Sequence, residues 1–545
     1  MLTVSNLARQ FPGVETPLFH DISFTVNAGE RVGLIGPNGC GKTTLLSMIV
    51  GATRAERGSI SLMPPDLRIG YLAQGMEYPD AMLIRDVLYP QRRLLAQAEA
   101  DVERLAAELS GDPRQAAAYA EALERIERYS VEIDTRRGES LLAGLDLASL
   151  ALDTPVGALS GGQKTRLGIA ALLVGDPKLL ILDEPTNHLD VSALEWLEAW
   201  LSSFPGAALI VSHDRTFLDR TVNRIVAMAD GTARSFEGSY SDYVRIIRSE
   251  VDKQWAQWRD QQLEIARLRD DTRRTMGFSM RTETATNDSS ARRLSKKVAQ
   301  RAKAKEKRLE RYLESEERVE KPAQTWNLKL DFGDLPAPGN DVIMLEGLRI
   351  GYNPNRPLLT DLNLRLHAGE RIALLGPNGH GKTTLLRTII GEVPPLAGRV
   401  RVGSSVRIGY LAQEQEILDR QSNALATLMA IVPSFTQTEA RSFLHFFLFT
   451  GEDVFRPVAL LSYGERVRLM LAILVARGAN VLLLDEPINH LDVPTRERFE
   501  TALRAFQGSV LAVVHDRYFV DRFATTIWQV ENGVLTLEIR EPIME

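Results

Sequence analysis

Residues 36–43 read Gly36-Pro37-Asn38-Gly39-Cys40-Gly41-Lys42-Thr43, and residues 376–383 read Gly376-Pro377-Asn378-Gly379-His380-Gly381-Lys382-Thr383. Both fit G-x-x-x-x-G-K-[ST], in which glycines let backbone N–H groups curl around phosphate oxygens. Each copy follows an apolar strand-like run (Val32 to Ile35, Ile372 to Leu375) and opens a helix-like run. That context sets phosphate at a helix N-terminus, where free N–H groups favour an anion. The expected fold is therefore α/β, with two P-loop nucleotide-binding domains in tandem.

The rest of each half repeats in register. Lys42 to Gln74 spans 32 residues and Lys382 to Gln413 spans 31. Ser160 to Asp183 and Ser462 to Asp485 both span 23, and Asp183 to His213 and Asp485 to His515 both span 30. This is duplication of a whole domain rather than a short solenoid repeat. One interval differs: Gln74 to Ser160 takes 86 residues, but Gln413 to Ser462 takes 49, a surplus of 37. The surplus, about 88–130, reads as two helices broken at Ser110-Gly111-Asp112-Pro113. The domains expected are 1–240 with this helical arm, a linker over 241–325, and 326–545.

Composition narrows the class. The chain has 545 residues, a net charge of −6 and one cysteine, Cys40. Cysteine-rich zinc sites, iron–sulfur clusters and disulfides are disfavoured, which fits a reducing, cytoplasmic setting. No run of 18 apolar residues marks a membrane span, and the first residues lack a signal peptide's basic region. Polyanion binding, if present, must come from a local patch.

Two apolar runs end in paired acids: Leu179 to Leu182 before Asp183-Glu184, and Val481 to Leu484 before Asp485-Glu486. Buried parallel strands ending this way place carboxylates where open α/β sheets bind ligands. Asp183 and Asp485 are expected to hold Mg²⁺ beside the hydroxyls of Thr43 and Thr383. Glu184 and Glu486 are expected to orient water, and Lys42 and Lys382 to neutralise the β- and γ-phosphates. His213 and His515, each followed by Asp-Arg, can contact the γ-phosphate. Gln74 and Gln413, each in a Tyr-Leu-Ala-Gln context, can ligate Mg²⁺ or the water.

Leu159-Ser160-Gly161-Gly162-Gln163 and Leu461-Ser462-Tyr463-Gly464-Glu465 each open a helix with a hydroxyl and free N–H groups. With the motifs above they resemble the signature, Walker and switch segments of ATP-binding cassette ATPases. The resemblance implies that the signature of one domain completes the ATP site of the other. Lys42 and Glu184 would work with Ser462 and Gly464, and Lys382 and Glu486 with Ser160, Gly161 and Gly162. It also implies nucleotide contacts from Gly36, Asn38, Gly39, Gly41 and Thr44, with Gly376, Asn378, Gly379, Gly381 and Thr384 as their counterparts. Phe11 and Tyr352 sit where the family stacks adenine. Two positions depart from the pattern: Tyr463 replaces the first signature glycine, and Ile488 replaces the threonine found at Thr186.

Between the halves the sequence turns charged and helical. Tyr243, Ile247, Val251, Trp255, Trp258, Ile265 and Leu268 recur as one helix face should. A polar stretch with Gly277 and residues 282–290 is expected to break that helix, and Asp288 or Ser289 to cap a second one. Two antiparallel arms on the order of 40–50 Å follow, at ~1.5 Å per residue. Residues 291–313 hold ten Lys or Arg and two Glu, a local net of +8 that leaves −14 for the rest of the chain. Basic side chains on such a rod suit RNA phosphates.

Two cassettes, an arm and a basic helical-hairpin linker together resemble the ABC-F family of cytosolic, ribosome-associated ATPases. The resemblance implies a monomer that closes its cassettes on ATP in the ribosomal exit site, with rRNA and tRNA as partners and no membrane. The linker tip would reach toward the peptidyl-tRNA and the peptidyl-transferase region, and the arm would touch the ribosome. Hydrolysis would release the chain. Within the family, relief of stalled ribosomes and protection from an antibiotic both remain open. Outside it, a transporter motor and a DNA-associated ATPase are the alternatives.

Overall fold

The computed structural model describes residues 1–11, 13, 16–73, 78–107, 113–129, 135–186, 189, 191–285, 300, 303–304, 307, 321, 341–412, 418–447, 449–488, 491, 493–514, 516–531 and 533–540. The strands of the first half are β1 (Leu2–Arg9), β2 (Phe19–Val26), β3 (Arg31–Ile35), β4 (Arg57–Leu62), β5 (Ile69–Leu72), β6 (Leu179–Asp183), β7 (Ala207–Val211), β8 (Arg224–Ala229) and β9 (Thr232–Glu237). They build an antiparallel sheet, β2-β1-β4, and a six-stranded sheet, β5-β6-β7-β3-β8-β9, parallel except for β9. The second half repeats this with β10 (Asp341–Ile350), β11 (Leu359–His367), β12 (Arg371–Leu375), β13 (Ala397–Val402), β14 (Ile408–Leu411), β15 (Val481–Asp485), β16 (Ser509–Val513), β17 (Thr526–Glu531) and β18 (Val534–Ile539). Its sheets run β11-β10-β13 and β14-β15-β16-β12-β17-β18.

The apolar runs read from the sequence are β3, β6, β12 and β15, all in sheet interiors. β6 and β15 are buried along their whole length, as strands covered on both faces must be. The P-loop helix Lys42–Ile49 is packed between the two sheets. Its Leu45, Leu46, Met48 and Ile49 share one buried cluster with Leu2, Val4 and Phe24 of the small sheet and Val32 and Leu34 of β3. Burying each such side chain contributes about 1.5–3 kcal/mol, so the loop that opens this helix is held by its own core. The second half does the same with Leu385, Leu386 and Ile389. At Gly58 a Cβ would lie 2.4 Å from two carbonyl oxygens of β1 and φ is +85°, so only glycine fits this irregular turn of the β1–β4 ladder.

Helices Pro90–Ala107 and Pro113–Tyr129 form the arm of the first half. Small residues Ala98 and Ala122 are buried, and Arg125 pairs with Asp101 at 3.2 Å across it. In the second half this part of the chain is shorter, with Ala424–Ile431 and Gln437–Phe446.

The chain divides into two compact units, Met1–Tyr240 with Asn327–Glu545, and Ser241–Trp326. In the latter, the long helix spans Tyr240–Ala285, 46 residues, on the order of 70 Å at ~1.5 Å per residue. It runs through Gly277, where the expected break begins, and its described part ends at Ala285, within the polar stretch 282–290. One interior glycine costs about 1 kcal/mol, too little to stop a helix whose surrounding Met276, Arg281 and Glu283 are good helix formers. Of the expected face, Trp255, Trp258, Ile265 and Leu268 are buried or half-buried, whereas Val251 is exposed. Gln261 joins that face. Trp255 and Trp258 meet edge to face, and Lys321 lies over the Trp258 ring, so the chain returns beside this helix. The cap at Asp288 or Ser289 and nearly all of the basic stretch 291–313 lie outside the described residues.

Candidate active site

Both P-loops have the same local geometry. Gly41 and Gly381 cap their helices with φ of 99° and 93°, and no side chain caps either helix. The first-turn N–H groups therefore stay available to an anion. Lys42 folds back across its loop and donates to Gly36 O at 2.9 Å and Pro37 O at 3.1 Å. Lys382 donates to Gly376 O at 2.7 Å and Pro377 O at 2.9 Å. Both ammonium groups are buried and held over the cradle that a phosphate would fill. Gly36 and Gly376 let the loop pass close to β8 and β17: a Cβ on either would lie 2.7 Å from a strand carbonyl.

The acids stand at the ends of β6 and β15. Asp183 Oδ2 and both carboxylate oxygens of Asp485 are buried without a hydrogen-bond partner. Burial raises Asp183, and the Thr43 hydroxyl and Lys42 act against it. Burial pushes Asp485 up to about 6, with Thr383 opposing and Glu486 adding to the rise. Each aspartate thus sets a buried carboxylate beside a P-loop threonine. Among the described residues no three carboxylate, imidazole or thiol groups cluster. A cation here would take one carboxylate, one hydroxyl, water and phosphate, an oxygen-only set that fits Mg²⁺.

Glu184 and Glu486 follow with φ of 53° and 50°. Holding a non-glycine residue there costs on the order of 1–3 kcal/mol, and its occurrence in both copies marks a constrained site. Glu184 N donates to Val211 O at 2.9 Å, which fixes the turn against β7. His213 N donates to Glu184 Oε2 at 3.3 Å, and His213 Nε2 lies 3.4 Å from Oε1. Burial, then the charge of Asp183, pushes Glu184 up to about 8.

Ser160 and Ser462 each begin a helix with a complete capping box, Ser160 with Gln163 and Ser462 with Glu465. Both serines are exposed.

A cavity of about 1280 Å³ joins these groups. Asn38, Gly39, Gly41, Lys42, Thr43 and Thr44 line it from the first P-loop, and Asn378, Gly379, Gly381, Lys382, Thr383 and Thr384 from the second. Asp183, Glu184, His213 and Glu486 also face it, and Phe11 and Tyr352 are exposed at it. Ser160, Gly161 and Gly162 share this cavity with Lys382 and Glu486. Gly36, Gly376, Asp485, Ser462 and Gly464 are not among its lining residues. Gln74, Gln413 and His515 lie outside the described residues. Four charged lining residues were given no role in the sequence reading: Arg166, Asp214, Arg496 and Asp516. Asp214 and Asp516 carried a signal, the Asp-Arg that follows both histidines. Arg496 carried none, since the matching position of the first half is Leu194.

The two halves differ beside the acids. In the first, Thr186 Oγ1 and Ser212 Oγ are hydrogen-bonded at 3.1 Å. In the second, the matching residues are Ile488 and Val514, both buried in one apolar cluster. Ile488 therefore does not strand a polar partner, because the partner has changed too.

This fold and these paired loops define a tandem ATP-binding cassette ATPase. Residues 19–187 and 359–489 match the family model described as ABC transporter, and residues 226–332 match a second model with that description. ATP-binding protein YdiF of Bacillus subtilis (strain 168) is 37% identical over 542 residues, 98% of this chain and 80% of that protein. ABC transporter F family member 5 of Arabidopsis thaliana is 32% identical over 541 residues, 98% of this chain and 75% of that protein. Among solved structures, an archaeal ribosome recycling factor, aABCE1, in complex with the stalk protein aP1 shares the fold, with a TM-score of 0.61, 19% identity, and 97% of this chain and 89% of that chain covered. The chain belongs to the ABC transporter F family and is an ATP-binding, ATP-hydrolysing enzyme. Among the described residues no helix is long and apolar enough to cross a membrane.

Proposed function

We propose that this chain is a ribosome-acting ATPase of the cytoplasm, a monomer whose cassettes close on ATP and reopen on hydrolysis. The observation that carries this reading is the one cavity that both P-loops line together with Ser160, Gly161 and Gly162 of the first cassette. At that site Lys382 meets the β- and γ-phosphates. Glu486 takes a proton from the attacking water, and Ser160 with the N–H groups of helix Gly161–Val174 engages the γ-phosphate. At the other site Lys42, Glu184 and His213 take the matching roles, completed by Ser462 and Gly464. Thr43 with Asp183, and Thr383 with Asp485, would hold Mg²⁺, which supplies charge neutralisation of the phosphates when bound. Gln74, Gln413 and His515 belong to the same sets. The adenine stacks on Phe11 and Tyr352. Closure then follows from differential binding, since the γ-phosphate is bridged only when the cassettes meet.

A ribosomal partner is supported by three things. One relative is named as a family F member. Two proteins of the same fold are described as a ribosome recycling factor with a stalk protein and as ribosome-bound. The third is the +8 charge of residues 291–313. On this reading the chain binds the exit site. The basic linker approaches rRNA and the peptidyl-tRNA, and the arm Pro90–Tyr129 makes a second ribosomal contact.

The test is sedimentation of Glu184→Gln with Glu486→Gln in cell lysate. This variant loses proton acceptance but keeps its Mg²⁺ ligands, so it is expected to stay closed with ATP and to lower turnover by roughly 10²–10⁴-fold. Co-migration with ribosomes in ATP but not in ADP supports the proposal. Migration with DNA or membranes contradicts it.

A further inference from the structure

Two arginines bridge the cassettes in matched fashion. Arg215 donates to Val493 O at 3.2 Å and to Glu500 at 3.3 Å. Arg517 donates to Val191 O at 3.2 Å and pairs with Glu195 at 3.2 Å and Glu198 at 3.5 Å. Val191 and Val493 occupy corresponding places in the two halves, as do Glu198 and Glu500.

A third arginine breaks this symmetry. Arg496 sits on helix Val493–Ala505 of the second cassette, is 6% exposed and lines the cavity. It donates to His213 O of the first cassette at 2.9 Å, to Ile488 O at 3.3 Å and to the Asp516 carboxylate. His213 in turn contacts Glu184 through its backbone N–H and its ring. The connection therefore runs Arg496 to His213 to Glu184, and it crosses from one cassette to the other. The corresponding residue of the first cassette, Leu194, is buried and has neither charge nor hydrogen bond to lend. The guanidinium also reaches Glu184 and Asp214 electrostatically, opposing the burial that dominates both carboxyl groups.

We infer that Arg496 is a one-sided positioning residue: the second cassette lends it to the His213 segment, and it sets the alignment of Glu184 only when the cassettes meet. The site built on Lys42 is thereby tied to closure more strictly than the site built on Lys382. This rests on Glu184 and His213 serving hydrolysis at the Lys42 site.

The test uses the full chain, 8-azido-ATP and vanadate, followed by photolabelling and a protease that cuts between the cassettes. Trapped label then reports turnover at each cassette. R496L places in the second cassette the residue that the first already accommodates at Leu194, and R496M replaces it if R496L does not accumulate. Displacing a group that aligns the reacting water is expected to lower the first cassette's label by ~10-fold or more, and the second's by less than about twofold. R496K, which keeps the charge, is expected to retain most of the label. Equal loss at both cassettes, as general damage to the interface would give, overturns the inference, and so does no loss. Glu184→Gln in the same assay tests the underlying reading separately, with loss of the first cassette's label expected.

Discussion

The two cassettes share their phosphate chemistry and differ in what surrounds it. Both have a lysine laid across its loop, a buried aspartate beside a P-loop threonine, and a glutamate held at positive φ. The residues that support these groups have diverged. Thr186 and Ser212 form a polar pair where Ile488 and Val514 are apolar. Gly161 stands where the second signature has Tyr463, and Leu194 where the second has Arg496. Groups that touch phosphate are constrained by the ligand, whereas supporting groups need only satisfy one another. The two sites are therefore alike in chemistry and unequal in setting.

Five substitutions break or sharpen that comparison. Lys42→Ala and Lys382→Ala, made singly, each remove a charged partner of phosphate and are expected to weaken ATP binding at their own cassette by roughly 10–100-fold. Site-resolved photolabelling reads this, and two equal effects would show that the sites are matched at the level of binding. Ile488→Thr alone buries a hydroxyl without a partner and is expected to cost about 1–3 kcal/mol in denaturant unfolding. Adding Val514→Ser restores the Thr186–Ser212 arrangement and should recover part of that loss, so the two changes are non-additive. Additive costs would mean that the two positions do not exchange a hydrogen bond. Tyr463→Gly restores the shared signature and is expected to raise trapping at the Lys42 cassette a few-fold, leaving the other unchanged.

The smallest effect concerns pH. Burial, then the charge of Asp516, pushes Asp214 up to about 6 from 3.8. Between those values the folded chain keeps a proton that the unfolded chain has released. Asp214 therefore lowers stability as pH rises from about 4 to about 6. Asp214 caps a helix by accepting from Phe217 N at 2.9 Å, and asparagine caps equally well. Asp214→Asn should melt with a flatter pH dependence across that window, and an unchanged slope would remove Asp214 as its source.

The sequence made the tandem fold legible because its signals are local. Glycines, a lysine and an apolar run within a few residues specify strand, loop and helix, and duplication confirms each one. The departures at Tyr463 and Ile488 were legible for the same reason. What was hidden depends on contacts between distant segments. Val514 explains Ile488 only once β15 and β16 lie side by side. Arg215 meets Glu500 across 285 residues of chain, and no periodicity announces it. Arg496 was invisible because comparison of the halves finds shared residues, and Arg496 is not shared. The break was read to begin at Gly277, but one interior glycine is a weak local penalty and the helix continues to Ala285.

The most direct test of the composite-site account is Ser160→Arg, read by vanadate trapping at each cassette. Ser160 belongs to the first cassette but shares the cavity with Lys382 and Glu486 of the second. The expected result is loss of trapped nucleotide on the second cassette with the first retained. Loss confined to the first cassette, beside its own Lys42, would contradict the account.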